Sequence, residues 1–444
     1  MLRIKIIIVS WFIVNAAIAV NKNAEQRAEV LSPQSLQRLT TVISNIKNHY
    51  YKAITEEDLL HRAIKGMLTG LDPHSAYLGT EDLQDLEMET VGKFGGIGVE
   101  VMPENGAIKV ITPIDDTPAY RAGIKAGDYI IQINDKFVRD MKLRDAISIM
   151  RGSQGSWLSL TILRKNEHKP RLVRLRREII KIKTIKYKLL KPGYGYIRIA
   201  AFQEATEKDM AQAIEALKKL AQGKLQGIIL DIRNNPGGLF DSAVKVADDF
   251  LDATKLKNNT LLVSTKGQDE AAQLTVKATS GELLPNVPIA VLINAGSASA
   301  AEIVAGALQD HKRAIVVGTP SFGKGSVQVL FPLDKKSAIK LTTALYYTPH
   351  DHLIQAKGII PDVNIEEIQL PRNNNQPWPK IYETTLLDHI QDGKREIHRT
   401  EQNGGSVNSL PQVKTAQELA YKDYQLYTAL NILQGLHVMQ AKNS

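Results

Sequence analysis

Beyond Tyr194 the chain alternates between two hydrophobic periods, and that alternation leaves few folds open. Tyr196–Ile199, Gly227–Ile232 and Ile289–Ile293 are apolar runs of strand length. Between them lie helix-length stretches. Thr206 is expected to cap a helix to about Ala221, with Met210, Ile214, Leu217 and Leu220 on one face, and further helices are expected over Asp241–Leu251 and Ser299–Gln309. Ala314–Val317, Ser326–Leu330 and Ala338–Tyr346 read as more strands. Strands alternating with helices predict a parallel or mixed α/β sheet.

Residues 91–177 follow a different pattern, of short strands and glycine turns. Gly95-Gly96-Ile97-Gly98 is followed by strands at Val99–Met102 and Ile108–Ile111, and Ala122-Gly123-Ile124-Lys125-Ala126-Gly127-Asp128 leads into the strand Tyr129–Ile133. A helix over Leu143–Arg151 and a strand over Trp157–Arg164 complete the unit. It resembles a PDZ domain, in which Phe94, Gly95, Gly96, Ile97 and Gly98 occupy the carboxylate-binding loop. Glycines there let successive backbone N–H groups converge on a terminal carboxylate, while the peptide adds as a strand to an open edge.

The termini read as helical or targeting segments. Arg3 and Lys5, the apolar run Ile6–Ile18 and the small residues Ala17 and Ala19 make a signal-peptide pattern cut after Ala19, with retention as an anchor the alternative. Leu36–Leu71 is expected to be helical, with Thr55 as an N-cap ahead of Glu56, Glu57 and Asp58. Arg372–Lys380 is rich in Asn and Pro and reads as a linker, and Ala416–Val438 as a terminal helix. The expected organisation is therefore a signal peptide at 1–19, a helical region at 20–90, the PDZ-like unit at 91–177, an α/β core at 178–370, and a linker with a helical tail at 371–444.

Net charge is +9, and much of it lies in Arg164–Lys191, with twelve Lys/Arg against two Glu. Basic and apolar residues alternate at Leu172–Leu175 and Lys181–Lys183, as on half-buried strands with a wet basic face, and no aromatic residues interleave there to stack on bases. Nucleic acid is therefore not the expected partner. The chain contains no cysteine, which excludes a lipidated-cysteine anchor and disulfides alike.

Two segments break local rules. In Asn294-Ala295-Gly296-Ser297-Ala298-Ser299-Ala300-Ala301-Glu302 a buried strand runs into a row of small residues at a helix start. Free N–H groups and a positive dipole suit such a start to an oxyanion, although close helix packing would select the same residues. In Ser321-Phe322-Gly323-Lys324-Gly325-Ser326-Val327-Gln328 a lysine stands between two glycines. A buried lysine can be neutral and act as a base, while a plain β-turn or a phosphate loop is the alternative. The spacing of a P-loop is absent. A straight strand would part Lys324 and Gln328 by about 13 Å, so contact requires a bend near Gly323 or Gly325. A Ser–His–Asp triad lacks its G-x-S-x-G elbow, and His311, His350 and His352 are its only obvious bases.

With Leu71-Asp72-Pro73-His74-Ser75-Ala76-Tyr77, Asp115-Asp116-Thr117-Pro118-Ala119, Asp231–Leu239 and Ile354–Asp362, these segments resemble the bacterial carboxyl-terminal processing, or tail-specific, proteases over about Leu36–Val363. The resemblance implies a ClpP/crotonase-like peptidase core with an inserted PDZ domain; no H-E-x-x-H or comparable metal spacing is present, so neither metal nor cofactor is expected. It implies Ser299 as nucleophile, Lys324 as base and Gln328 as the residue orienting the lysine. It puts oxyanion donors at Ala300 and at Gly237 or Gly238, and communication between PDZ domain and active site at Arg151. It further implies export, most simply to a bacterial periplasm or the inner-membrane surface, peptide substrates with free C-termini and, as for some members, a helical-repeat lipoprotein adaptor; a homo-oligomer, a dimer or a larger ring, is expected from the terminal helical segments. Ala301 replaces a second serine common in the family, and Asp351-His352 replaces the usual Gly-Arg. A PDZ adaptor without proteolysis is the rival reading, and the Ser/Lys/Gln set speaks against it.

Overall fold

The structure is a computed structural model, and it describes residues 31–114, 116–164, 167, 169–256, 259–368, 370 and 418–443. The expected signal peptide and the linker at 372–380 lie outside the described residues.

The expected helical stretch at 36–71 is two helices, α1 (Pro33–His49) and α2 (Glu56–Thr69), the second starting at the expected cap Thr55. The break has a local cause: Tyr50 turns extended, and Thr55 Oγ1 accepts the Asp58 N–H at 3.1 Å to start α2 afresh. A short strand β1 (Ala76–Leu78) and helix α3 (Thr80–Val91) follow. Helix α3 falls in the helical region expected at 20–90, although no bounds were expected for it. It buries no residue, so its pattern lacks an apolar stripe.

The glycine-turn unit begins with β2 (Lys93–Gly96), β3 (Val99–Glu104) and β4 (Ala107–Pro113). The short helix α4 (Pro118–Arg121), β5 (Tyr129–Ile133) and β6 (Lys136–Phe137) come next. Helix α5 (Leu143–Met150), β7 (Trp157–Leu163), β8 (Arg171–Arg176) and β9 (Glu178–Lys181) complete it. Its main sheet runs β3-β4-β5-β7-β8, so β3 is an edge. Val173 and Leu175 point into the core and Arg174 and Arg176 out, as the alternation at 172–175 requires. At 181–183 the expectation fails, because β9 ends at Lys181.

The α/β core contains β10 (Ile185–Lys191), β11 (Tyr194–Ile199), α6 (Thr206–Leu220), β12 (Gly227–Asp231) and α7 (Phe240–Asp248). Thr206 lies inside α6 rather than capping it, and its hydroxyl is buried and accepts the Gln203 N–H at 2.8 Å. Then come β13 (Leu261–Gly267), β14 (Thr275–Lys277), β15 (Ile289–Ile293), α8 (Ala300–Asp310) and β16 (Ala314–Gly318). The core closes with β17 (Ser326–Pro332), β18 (Ala338–Tyr347) and β19 (Val363–Asn364). One sheet has the order β10-β11-β12-β15-β16-β19, parallel except for the β10–β11 pair. Strands β12 and β15 are apolar but for Asp231 at the end of β12, because both faces are covered. Ile228, Leu230, Val291 and Ile293 pack toward α6, α7 and α8, whereas Ile229, Ala290 and Leu292 meet the terminal helix α9 (Tyr424–Asn443). Residues 418–422 are helical as well, and the expected tail helix is interrupted at Asp423, whose carboxylate accepts the Leu426 N–H at 2.9 Å.

In the second sheet β18 is central, pairing with β13, β17 and β1. Because β1 precedes the glycine-turn unit and β10 follows it, that unit is an insertion into the α/β core.

Candidate active site

Parallel strands bring ligands to the crevice outside their carboxyl ends, and here the loops leaving β12 and β15 meet in that position. They are zipped together by asparagines. Asn294 Oδ1 accepts the Asn234 N–H at 2.8 Å, Asn294 Nδ2 donates to Asn234 Oδ1 at 3.0 Å, and the Ala298 N–H donates to the Asn235 carbonyl at 2.9 Å.

Ser299 sits at the N-cap of α8 with φ +54° and ψ −115°, a backbone geometry that non-glycine residues rarely hold. The two loops and the helix start hold it there. Ala300 is the first residue of α8, and among the described residues its N–H donates to no protein group. A Cβ on Gly237 would lie 2.9 Å from the Ser299 Cβ and 3.0 Å from the Ala300 N, so only a bare backbone fits beside the serine. Gly237 and Gly238 have φ of +104° and +135°. They differ in hydrogen bonding: the Gly237 N–H is taken by Asn235 Oδ1 at 2.8 Å, whereas that of Gly238 has no partner among the described residues.

Lys324 arrives on the segment before β17. Its flanking glycines pack tightly, since a Cβ on Gly325 would come within 2.3 Å of the Gln355 N and one on Gly323 within 3.1 Å of the Gly358 N. The lysine is half-buried, and burial pushes its ammonium below the ordinary value, helped by Lys340 and opposed by Glu302. Strand β17 begins only at Ser326, so no straight strand joins Lys324 to Gln328. Gln328 lies at a register shift opposite Thr342, and its Nε2 donates to Ser326 Oγ at 2.9 Å and to Thr342 Oγ1 at 3.3 Å.

Glu302 joins these parts and had no role in the sequence reading. It is fully buried, on the first turn of α8. Its Oε2 accepts the N–H groups of Ser299 at 2.7 Å and Lys324 at 2.8 Å, and its Oε1 accepts Ser321 Oγ and the Gly323 N–H, both at 2.6 Å. The sequence signal was available: Ser-x-x-Glu at a helix start is a capping box. Also missed was an ionic cluster below the Asn235–Gly238 loop, in which Arg233 binds both Asp231 and Asp423.

The rival histidines are elsewhere. His350 and His352 face Asp310, and His311 follows it, at the far end of α8 from Ser299, about 16 Å along a helix of this length. His74 is instead the histidine near Lys324: burial, and then the charges of Lys324 and Lys340, hold its imidazole below the ordinary value.

In the inserted unit, Phe94, Gly95 and Gly96 lie on β2, paired with β9, so the turn into β3 is Ile97-Gly98. That turn is held by its carbonyls, which accept the N–H groups of Ala119 and Ile114 at 2.9 and 3.0 Å. Arg151 stacks over Phe94 at 5.5 Å and pairs with Asp85 of α3 at 2.7 Å.

A mixed α/β core with a serine at a helix N-terminus, a half-buried lysine and an inserted peptide-binding type of module defines a class, the serine peptidases with PDZ domains. The comparisons specify it further. Residues 193–365 match peptidase family S41, residues 95–175 a PDZ domain and residues 8–82 the activating protease CtpB N-terminal domain. A carboxy-terminal-processing protease of Bartonella bacilliformis is 42% identical over 90% of this chain and 89% of its own length. A probable CtpA-like serine protease of Staphylococcus aureus is 37% identical over 78% of this chain and 68% of its own length. The photosystem II D1 C-terminal processing protease is 27% identical, covering 80% of this chain and 92% of that one, with a TM-score of 0.44. The chain belongs to the carboxy-terminal-processing serine proteases of family S41.

Proposed function

We propose that the protein is an exported endopeptidase that takes substrates by their free C-termini and cuts them through a Ser299/Lys324 acyl-enzyme. The observation that carries this reading is the single carboxylate of Glu302, which binds the Ser299 and Lys324 backbones together at the start of α8. Neutral Lys324 removes the Ser299 proton, and Ser299 Oγ attacks the peptide carbonyl. The oxyanion is received by the N–H groups of Ala300 and Gly238, since that of Gly237 is already committed. The lysine then gives its proton to the leaving amine, and the ester is hydrolysed by water activated in the same way. Gln328 orients the lysine.

The PDZ domain supplies selection. The edge strand β3 is open to an incoming peptide strand, and the Ile97-Gly98 turn stands at its start. Export rests on the basic-then-apolar pattern of residues 3–19, and among the described residues no helix is long and apolar enough to cross a membrane. Self-association through the N-terminal helices is supported by Leu36, Leu39 and Val42, which α1 leaves exposed. A lipoprotein adaptor belongs to the same reading.

The test is cleavage of a fluorogenic peptide by wild type and by Ser299→Ala. Loss of all turnover in the variant, with retained binding of the peptide, is the expected result. Undiminished turnover refutes the mechanism.

A further inference from the structure

We propose that Asp72 and Thr342 are positioning residues of the peptidase site, forming a hydrogen-bond relay that fixes which end of the Gln328 amide faces Lys324. The proposal rests on the reading of Gln328 as the partner of Lys324.

The segment 71–77 is distant in sequence from Ser299 and Lys324, yet it packs on the strand that faces Gln328. Asp72 Oδ1 accepts the N–H groups of His74 at 2.7 Å and Ser75 at 2.9 Å, and its Oδ2 accepts Ser75 Oγ at 2.6 Å. Ser75, itself buried, in turn accepts the Thr342 N–H at 3.1 Å. Thr342 Oγ1 then touches two groups, Asp72 Oδ1 at 3.2 Å and Gln328 Nε2 at 3.3 Å.

Donor and acceptor chemistry gives this chain a direction. An ionised carboxylate can only accept. Burial alone would raise the Asp72 carboxyl, but the hydrogen bonds from Ser75 and His74 outweigh it and hold the group below the ordinary value. The Thr342 hydroxyl proton must therefore point to Asp72, and its oxygen can only accept from Gln328. The side of the amide turned to Thr342 must then be the NH₂ side. Its second hydrogen goes to Ser326 Oγ at 2.9 Å. Both donors are spent, and Oε1, a pure acceptor, is the end left for the lysine ammonium.

The two ends of an amide have the same shape, so only such a network can choose between them. Fastening the segment does not require the relay, since β1 and β18 already pair from Ala76↔Lys340 to Leu78↔Ala338. The Thr342 hydroxyl adds polarity rather than attachment.

The experiment is steady-state kinetics across pH for Gln328→Ala, Thr342→Val, Thr342→Ser and Asp72→Asn, and for Thr342→Val and Asp72→Asn each combined with Gln328→Ala. Thr342→Val keeps the shape of the side chain and is expected to lower kcat by about ten-fold with little change in KM, the weight of one hydrogen bond. Its rising pH limb should move down in the same direction as that of Gln328→Ala, because a lost acceptor no longer favours the ammonium; Lys340, Glu302 and His74 around the lysine stay in place in both. Thr342→Ser should recover the rate. Asp72→Asn should lose less than Thr342→Val, since the side-chain oxygen that takes the His74 and Ser75 N–H groups is kept and can still accept from Thr342. In the Gln328→Ala background neither change should cost anything further. Losses that multiply in the double variants, or a serine no better than valine, overturn the relay. An unaltered kcat in Gln328→Ala overturns the role of Gln328 itself and the relay with it, while the peptidase reading then still stands on an inactive Ser299→Ala.

Discussion

Ser299 and Lys324 donate their backbone N–H groups to the same atom, Glu302 Oε2, at 2.7 and 2.8 Å. The nucleophile and the lysine belong to different elements, one at the head of α8 and the other ahead of β17. One buried carboxylate makes their separation a fixed quantity. It is stable there because its other oxygen is also doubly bonded, to Ser321 Oγ and the Gly323 N–H.

Glu302→Gln should therefore be far from conservative. An amide has one acceptor oxygen, and its NH₂ group would confront two N–H or O–H donors. Losing two hydrogen bonds to a charged group is expected to cost about 3 kcal/mol of stability. Relaxation of the serine against the lysine should lower kcat by about 100-fold or more. Thermal melts and kcat on a short peptide check both, and a variant with normal kcat refutes the role given to the carboxylate.

The serines two residues apart should separate cleanly. Ser297 Oγ is buried, donates to the Ile232 carbonyl at 2.8 Å and accepts the Asn294 N–H at 3.0 Å, so it fastens the loop. Ser297→Ala should lower stability by about 1–3 kcal/mol and keep most of its activity at low temperature. Ser299→Ala should melt like wild type or slightly higher, because the strained residue is retained and only an uncommitted hydroxyl is lost, yet show no turnover.

The pH dependence follows from the lysine. At an ordinary pKa of about 10.4 its neutral fraction at pH 7 would be on the order of one in a thousand. Burial, and then Lys340, push it down, with Glu302 opposing. A base works only when deprotonated, so kcat/KM should rise with pH through one ionisation below that of a free lysine. Lys340→Ala removes a neighbouring positive charge and should move the limb upward. Lys324→Arg should be inactive at every pH, because arginine does not deprotonate. Turnover by Lys324→Arg would make the lysine structural.

How much of this was legible depends on whether the deciding contacts were local. Strand β5, Tyr129–Ile133, has the expected bounds, and Thr55 caps as expected, because alternation and capping are local. Strands β13 and β14 had no expectation behind them, since Leu261–Gly267 gains its place from β18, about eighty residues later. The tight glycines around Lys324 and the small residues around Ser299 were readable as anomalies. What they were packed against, such as Gln355 beside Gly325, was not. Glu302 looked like one more helix-start acid until four donors converged on it. Asp72 and Thr342 are 270 residues apart, and no pattern within either segment predicts their contact.

Selection by the PDZ domain should depend on a free carboxylate. A long substrate amidated at its C-terminus should show a higher KM than its free acid, whereas a short peptide should be cut alike in either form. Arg151→Ala removes both the stack on Phe94 and the pair with Asp85. The pair is partly exposed and worth about 1 kcal/mol or less in stability, so a large change confined to the free-acid substrate would locate Arg151 in the recognition path. Equal KM for acid and amide refutes carboxylate capture.

The last prediction concerns the tail. Asp423 lies in the break before α9, caps that helix through the Leu426 N–H, and grips Arg233 at 2.7 Å. Arg233 also holds Asp231 at 2.8 Å and directly precedes the Asn234–Gly238 segment beside Ser299. A clamp on the C-terminal segment thus holds the base of the loop that presents Gly238. Burial alone would raise the Asp423 carboxyl, but Arg233 outweighs it and holds the group below the ordinary value. A carboxyl with a depressed folded pKa adds stability that is complete above its unfolded value, about 3.9, and is lost as pH falls through the folded one. Asp423→Asn should therefore be less stable than wild type at neutral pH by about 2 kcal/mol, and the gap should close as pH falls below about 4. The amide can still cap α9, so the helix should persist, and the loss should show in kcat through the loosened Gly238 loop. Urea titrations from pH 3 to pH 7 measure the gap. A gap that stays constant across that range would mean that Asp423 acts through packing and not through its charge on Arg233.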